Sequence, residues 1–259
     1  YWQAVAPHWT TSPNWVSMAG ASHLKGSGGW TYASSDFTTT GMDTFAWKEG
    51  THDGLNGKVF YIVTKAFDAT TNEEVSFSTR TFRFDNVPPL SAPVQPGIDT
   101  AYNASNLPQL YGTSVDAVTT VASVKVSILS QDESGGAKYY DGSGFNNTAE
   151  TWLPVSNLYP SSWTYTSGML TFANRQHYVV KSSATDSIGN VQTVIGQSRF
   201  LYDTTEPQSS VAKPVNSTVY NDVLSVIGVG SDTGFTSGIA GTGSGVYPDQ
   251  TWSRGKVEV

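Results

Sequence analysis

Asp232-Thr233-Gly234 spells the tripeptide in which aspartic proteases carry a catalytic carboxylate, and Ser210 and Lys213 have the Ser-x-x-Lys spacing of acyl-transfer enzymes. Neither has the company its chemistry requires. Acid proteolysis takes two carboxylates sharing one proton, and the tripeptide occurs once. Ser210 and Lys213 stand without the other motifs of their class, so the first match reads as a turn and the second as chance. His8, His23, His52 and His177 lack metal-ligand spacing, and three of them lie in loop-like sequence. With no Cys there is no thiolate nucleophile, no thiolate zinc site and no disulfide framework.

Two other sets of residues carry usable chemistry. Asp85, Asp116, Asp186 and Asn190 offer hard oxygen ligands of the kind Ca²⁺ takes six to eight at a time. The eight Trp and thirteen Tyr offer flat faces on which sugars stack. What either set does depends on the elements that hold it.

Charged residues make up 14% of the 259, against roughly 25% in typical soluble domains, and Ser, Thr, Asn and Gly supply the remaining polarity. A net charge of −7 and the lack of a basic cluster disfavour nucleic acid. No apolar run approaches the roughly 20 residues of a membrane-spanning helix. The chain begins and ends inside strand-like patterns, which suggests a window from a longer polypeptide.

An internal repeat organises the chain. Asp68 and Asn72 match Asp186 and Asn190, Phe82-Arg83-Phe84-Asp85 matches Phe200-Leu201-Tyr202-Asp203, and Pro96, Tyr102 and Asn103 match Pro214, Tyr220 and Asn221, all 118 residues apart. Tyr61 matches Tyr178 with one residue of slippage. Further upstream the offset drifts, with Trp30-Thr31-Tyr32 answering to Trp163-Thr164-Tyr165 and Trp15 to Trp152. This predicts the later part of one repeat over 1–86, a whole repeat over 87–204 and the early part of a third over 205–259.

Within the whole repeat, Val124, Val126 and Ile128 alternate with polar residues, the period of a strand with one buried face. Similar runs occur over 107–112, 178–184 and 192–202. Gly135-Gly136, Asp141-Gly142 and Ser187-Ile188-Gly189-Asn190 mark turns between them. No segment has a helical period. About seven short strands per repeat predict an all-β fold of tandem immunoglobulin-like Greek-key β-sandwiches, set in an elongated array and separated by short Pro-bearing junctions at Pro88-Pro89 and Pro207.

The junction Phe200-Leu201-Tyr202-Asp203-Thr204-Thr205-Glu206-Pro207, the hairpin from Tyr178 to Asn190 and the Tyr140-to-Phe145 stretch resemble the tandem immunoglobulin-like (Big-type) repeats of giant bacterial surface and adhesin-like proteins. The resemblance implies an extracellular or cell-surface location, neighbouring repeats as partners, and a spacer or adhesive role in a rod or fibre, without catalysis. An accessory or carbohydrate-binding module of a secreted hydrolase is the alternative. In such a sandwich the loops carrying Asp116 and Asp186–Asn190 lie at the end where the chain enters, beside Asp85, which makes these four residues candidates for an inter-domain calcium site. The same side chains also cap turns without any ion, and both readings stand open. Recurrence of Trp15 with Trp152 and of Trp30 with Trp163 favours packing for these four. Trp47 and Trp252 have no counterpart and are the candidates for contact with a glycan or another protein.

Overall fold

A computed structural model describes residues 56–68, 70–132, 135–222 and 225–231. Those residues contain strands and turns and no helix. The chain divides into two compact units, 1–87 and 88–259.

In the first unit, β1 (Val59–Thr64) and β2 (Ser78–Arg83) form an antiparallel ladder in which Phe60 faces Phe82. The second unit holds β3 (Leu90–Gln95), β4 (Thr100–Tyr102), β5 (Leu110–Val115), β6 (Val121–Gln131), β7 (Ala137–Tyr140), β8 (Phe145–Asn147), β9 (Leu153–Pro154), β10 (Asn157–Leu158), β11 (Ser162–Tyr165), β12 (Gln176–Asp186) and β13 (Gly196–Tyr202). One sheet has the order β10-β11-β5-β3 and the other β4-β13-β12-β6-β7-β8, with β9 also on β6. A separate pair, β14 (Gln208–Lys213) and β15 (Ile227–Ser231), follows in the same unit. The run expected over 107–112 thus begins three residues later, after Pro108, and that over 192–202 begins at Gly196, because Gln192 to Ile195 are spent on the turn that follows β12.

The alternation seen in the sequence sorts side chains between core and surface. Along β12 the even-numbered residues Tyr178, Val180, Ser182, Ala184 and Asp186 are buried, as are Val124, Val126 and Ile128 of β6. Of these, Tyr178, Val180, Ala184, Val124, Val126 and Ile128 meet Leu110, Trp163 and Tyr165 of the other sheet in one apolar cluster. Rings of Tyr178, Phe172, Phe200, Tyr140 and Phe145 pack against each other at 4.8–5.6 Å, with Phe172 edge-on to Tyr178 and Phe200 and the others stacked or tilted.

Trp163 is wholly buried and directly faces Gly112 across the β11–β5 ladder. A Cβ at Gly112 would fall 2.3 Å from a ring carbon of Trp163 and 2.3 Å from the carbonyl oxygen of Ala92, so glycine is what lets the indole lie flat on β5. The ring nitrogen donates to Ser91 Oγ at 3.0 Å and to the Thr113 carbonyl at 3.2 Å. Gln192 extends this buried network: its amide nitrogen donates to the carbonyls of Ser91 and Val194, and its oxygen accepts from Ala184 N–H. The polar atoms of a large core ring are thereby satisfied, and the edge strand β3 is tied to the turn after β12.

Candidate functional site

The two proposed ligand loops converge. Asp116 follows β5 and Asp186 ends β12, and each presents a carboxylate oxygen within 4.8 Å of the other. Both are held by turns of their own. Asp116 Oδ1 accepts from Val118 N–H (2.9 Å), Thr119 N–H (2.6 Å) and the Thr119 hydroxyl (3.1 Å). Asp186 Oδ1 accepts from the backbone of Ile188, Gly189 and Asn190 at 2.7–3.0 Å, and its Oδ2 accepts from the Asn190 side-chain amide at 2.8 Å. Asp186 is buried and Asp116 half-buried. Among the described residues neither carboxylate has an ion pair, and Asp116 Oδ2 has no hydrogen-bond donor. Two carboxyl groups so close offer hard oxygen ligands of the kind a cation takes. Asn190 turns its NH₂ group to Asp186, so its first task is to close the hairpin. Asp85 belongs to the first unit, where it is buried and accepts Val87 N–H at 3.2 Å.

The hairpin that carries Asp186 has a counterpart 118 residues earlier. Asp68 Oδ1 accepts from Thr70 and Asn72 N–H at 2.8 Å each, and its Oδ2 accepts from the Asn72 amide at 2.6 Å. Asp68 N–H donates to the Asn72 carbonyl and Asp186 N–H to the Asn190 carbonyl, both at 3.1 Å. Ala66 N–H reaches the Glu74 side chain as Ala184 N–H reaches that of Gln192, at 3.0 Å in both. The stacked rings agree as well: Phe60 on Phe82 at 5.3 Å and 23°, Tyr178 on Phe200 at 5.4 Å and 24°. Phe60, not Tyr61, therefore corresponds to Tyr178, and the one-residue slippage read from the sequence is absent. The matching Tyr drew the sequence alignment one place off the ring that occupies the position.

Left-handed residues recur at the same interval: Gly57 and Arg175, Thr71 and Gly189, Asp99 and Ser217. So does the corner in which Tyr102 Oη accepts Gly97 N–H (2.8 Å) and Tyr220 Oη accepts Val215 N–H (2.9 Å).

Of the other singled-out residues, Trp163 is core and Trp152 is half-buried. Trp15, Trp30, Trp47, Trp252, the Asp232-Thr233-Gly234 tripeptide, and His8, His23 and His52 lie outside the described residues. His177 is buried in β12, where loss of solvation, aided by the charge of Arg199, pushes its pKa down to about 4. Hydrogen bonds from Asn72, then Thr70, hold the Asp68 carboxyl down at about 2, and Ser143 holds that of Asp141 below the usual carboxylate range. Asp141 closes the turn between β7 and β8 by accepting from Ser143, Gly144 and Asn146. Its role was legible only as an Asp-Gly turn signal.

No protein-family model and no curated protein matches the chain.

Proposed function

We propose that this chain is a run of immunoglobulin-like β-sandwich modules that serve as spacer and adhesive units of a long extracellular bacterial rod or fibre, without catalysis. The observation that carries the reading is the hairpin pair at 66–74 and 184–192, which share backbone and side-chain hydrogen bonds at one fixed interval. A repeated turn closed the same way is what successive copies of one folding unit produce.

The strand orders support the immunoglobulin assignment. Naming β3, β5, β6, β7, β11, β12 and β13 as A, B, C, C′, E, F and G, with β10 as D and β4 as A′, the sheets read D-E-B-A and A′-G-F-C-C′, the second continued by β8. Tyr178, near the start of the F strand, accepts Ala173 N–H at 2.7 Å, five residues upstream, as the tyrosine corner of such domains does. These domains commonly bridge their sheets through Cys on B and F. Here Trp163 seated on Gly112 fills the space between the sheets. Module boundaries near 86/87 and 204/205 fit this scheme.

We further infer that the Asp116–Asp186 pair takes Ca²⁺, which is the chemistry suited to adjacent carboxylates that form no ion pair among the described residues. Electron microscopy of the native material tests the main reading. A fibre with a regular axial repeat of one or two sandwich lengths is the expected result. Isolated particles in which these modules flank a separate catalytic domain would overturn it in favour of an accessory module.

A further inference from the structure

The sequence contains one Asn-Gly step, Asn56-Gly57, and it lies just ahead of β1. Its asparagine holds the chain that leaves the hairpin: Asn56 Oδ1 accepts Asn86 N–H at 3.2 Å. The same latch recurs 118 residues later, where Asn174 Oδ1 accepts Thr204 N–H at 2.6 Å. In both copies the residue after the asparagine is left-handed, Gly57 at φ 74° and Arg175 at φ 59°.

The two latches differ where it matters for covalent chemistry. Asn-Gly is the step at which an asparagine amide is most open to attack by the next backbone nitrogen, because glycine has no Cβ to block the approach. Gly57 provides that opening, and Arg175 closes it in the second copy. The second latch also holds the side-chain nitrogen, with Asn174 Nδ2 donating to Thr205 Oγ1 at 2.9 Å. The corresponding residue of the first copy is Val87, which offers the Asn56 nitrogen no hydroxyl. Meanwhile Asn86 N–H points at Asn56 Oδ1, the oxygen on which negative charge develops when the carbonyl is attacked.

We propose that Asn56 is a site of spontaneous deamidation, at which the first latch is lost with age while Asn174 keeps the second. Hydroxide takes the Gly57 amide proton and the nitrogen attacks Asn56 Cγ. The bond from Cγ to Nδ2 breaks, ammonia leaves, and a cyclic succinimide forms. Water then opens the ring at either carbonyl, giving aspartate or isoaspartate and one added negative charge. Isoaspartate routes the backbone through the former side-chain carbonyl, so the oxygen that accepted Asn86 N–H becomes part of the main chain. Gly57 N–H first has to leave the Phe84 carbonyl, which it meets at 2.9 Å, and fraying at this end of the β1–β2 ladder sets the pace. The modification stands whether or not the modules are spacers.

The test is peptide mass spectrometry of the full chain aged at mildly alkaline pH, following the replacement of NH₂ by OH, with isoaspartate recognised by enzymatic methylation. Asn56 should convert at least about tenfold faster than Asn174, and Gly57→Arg, which copies the second latch, should slow it about tenfold, the effect of placing a side chain at a left-handed position. Val87→Thr supplies the missing hydroxyl and should slow conversion about threefold, the worth of one modest hydrogen bond to the leaving nitrogen. This near-isosteric variant carries the test should Gly57→Arg fail to fold. Amide exchange at Asn86 should be faster in the converted fraction than in fresh protein. An Asn56 rate no higher than that of Asn174, or one indifferent to both substitutions, would overturn the site. Unchanged exchange at Asn86 after conversion would overturn its role as a latch.

Discussion

Gly112→Ala tests the packing that joins the two sheets. The added methyl would sit 2.3 Å from both the Ala92 carbonyl oxygen and Trp163 Cζ2, and 2.5 Å from Trp163 Cε2, where an ordinary contact is about 3.4 Å or more. Neither neighbour can yield cheaply. The Ala92 carbonyl belongs to the β3–β5 ladder, and the indole is fixed by hydrogen bonds to Ser91 and Thr113 within a core that leaves it fully buried. Overpacking costs about 1–3 kcal/mol, and two rigid collisions put this site at the upper end. Alanine stiffens the unfolded chain and returns about 0.4–1 kcal/mol, so the net loss is about 2–2.5 kcal/mol. For a body of this size that lowers the thermal midpoint by roughly 8–12 °C. Urea unfolding followed by near-ultraviolet circular dichroism measures it, with Gly168→Ala as the control. Nothing lies within 4 Å of a Cβ at Gly168, and its change should stay within about 0.5 kcal/mol. If Gly112→Ala behaved like Gly168→Ala, Trp163 would not be seated on β5 and the account of how the sheets are joined would fall.

His177 predicts an acid-labile step. Its folded pKa of about 4 lies below the ordinary 6.5, so between those values the unfolded chain binds a proton that the fold refuses; stability is complete above pH 6.5 and falls by on the order of 2 kcal/mol by pH 4.5. Chemical denaturation at pH 7 and 4.5 should show that loss in the parent and little of it in His177→Gln; an equal loss in both would refute the assignment. Asp68 belongs to a lower window, because its folded pKa of about 2 costs stability only as pH falls below about 3.8. Asp186→Ala removes a buried carboxylate that accepts from four N–H donors of the turn and should cost about 2–3 kcal/mol, with faster amide exchange at Gly189 and Asn190; unchanged exchange would mean that the carboxylate does not organise the turn. Calcium at about 100 times its dissociation constant should raise stability by about 2.7 kcal/mol, and Asp116→Asn should abolish the rise; a melting curve identical in Ca²⁺ and chelator would exclude the site.

The core and the turns were legible in the sequence because they are local. Alternation in β6 and β12 follows from the two-residue period of a pleated strand, and the turns at Gly135-Gly136, Asp141-Gly142 and Ser187 to Asn190 are closed by the nearby carboxylates of Asp132, Asp141 and Asp186. The proximity of Asp116 to Asp186 followed once the strands were assigned to the two sheets. Pairing partners were less accessible. Nothing in Thr100-Ala101-Tyr102 marks it as a strand, since its partner is 100 residues away and runs parallel. Gly112 looked like any strand glycine until the indole opposite it was known, and the burial of His177 on the outward face of β12 breaks the alternation that predicts exposure.

The paired hairpins separate what a module needs from what it can vary. The first lacks the glycine that precedes Asn190 in the second, yet Thr71 takes the left-handed conformation that Gly189 takes, φ 70° against 99°, at a cost of roughly 1–2 kcal/mol for a residue with a Cβ. The turn survives that cost because its closure lies elsewhere, in the Asp carboxylate that accepts from the Asn backbone and side chain. Asp and Asn are therefore the fixed requirement, and glycine is a convenience. Side chains that do not close the turn differ freely: Glu73 answers to Val191 and Ser76 to Val194, and both apolar residues of the later hairpin are exposed. A constant frame with changing tips fits the proposed spacer reading, in which modules share one fold and meet different surroundings, and on that reading the search for partner contacts goes to these tips, away from the strands that support them.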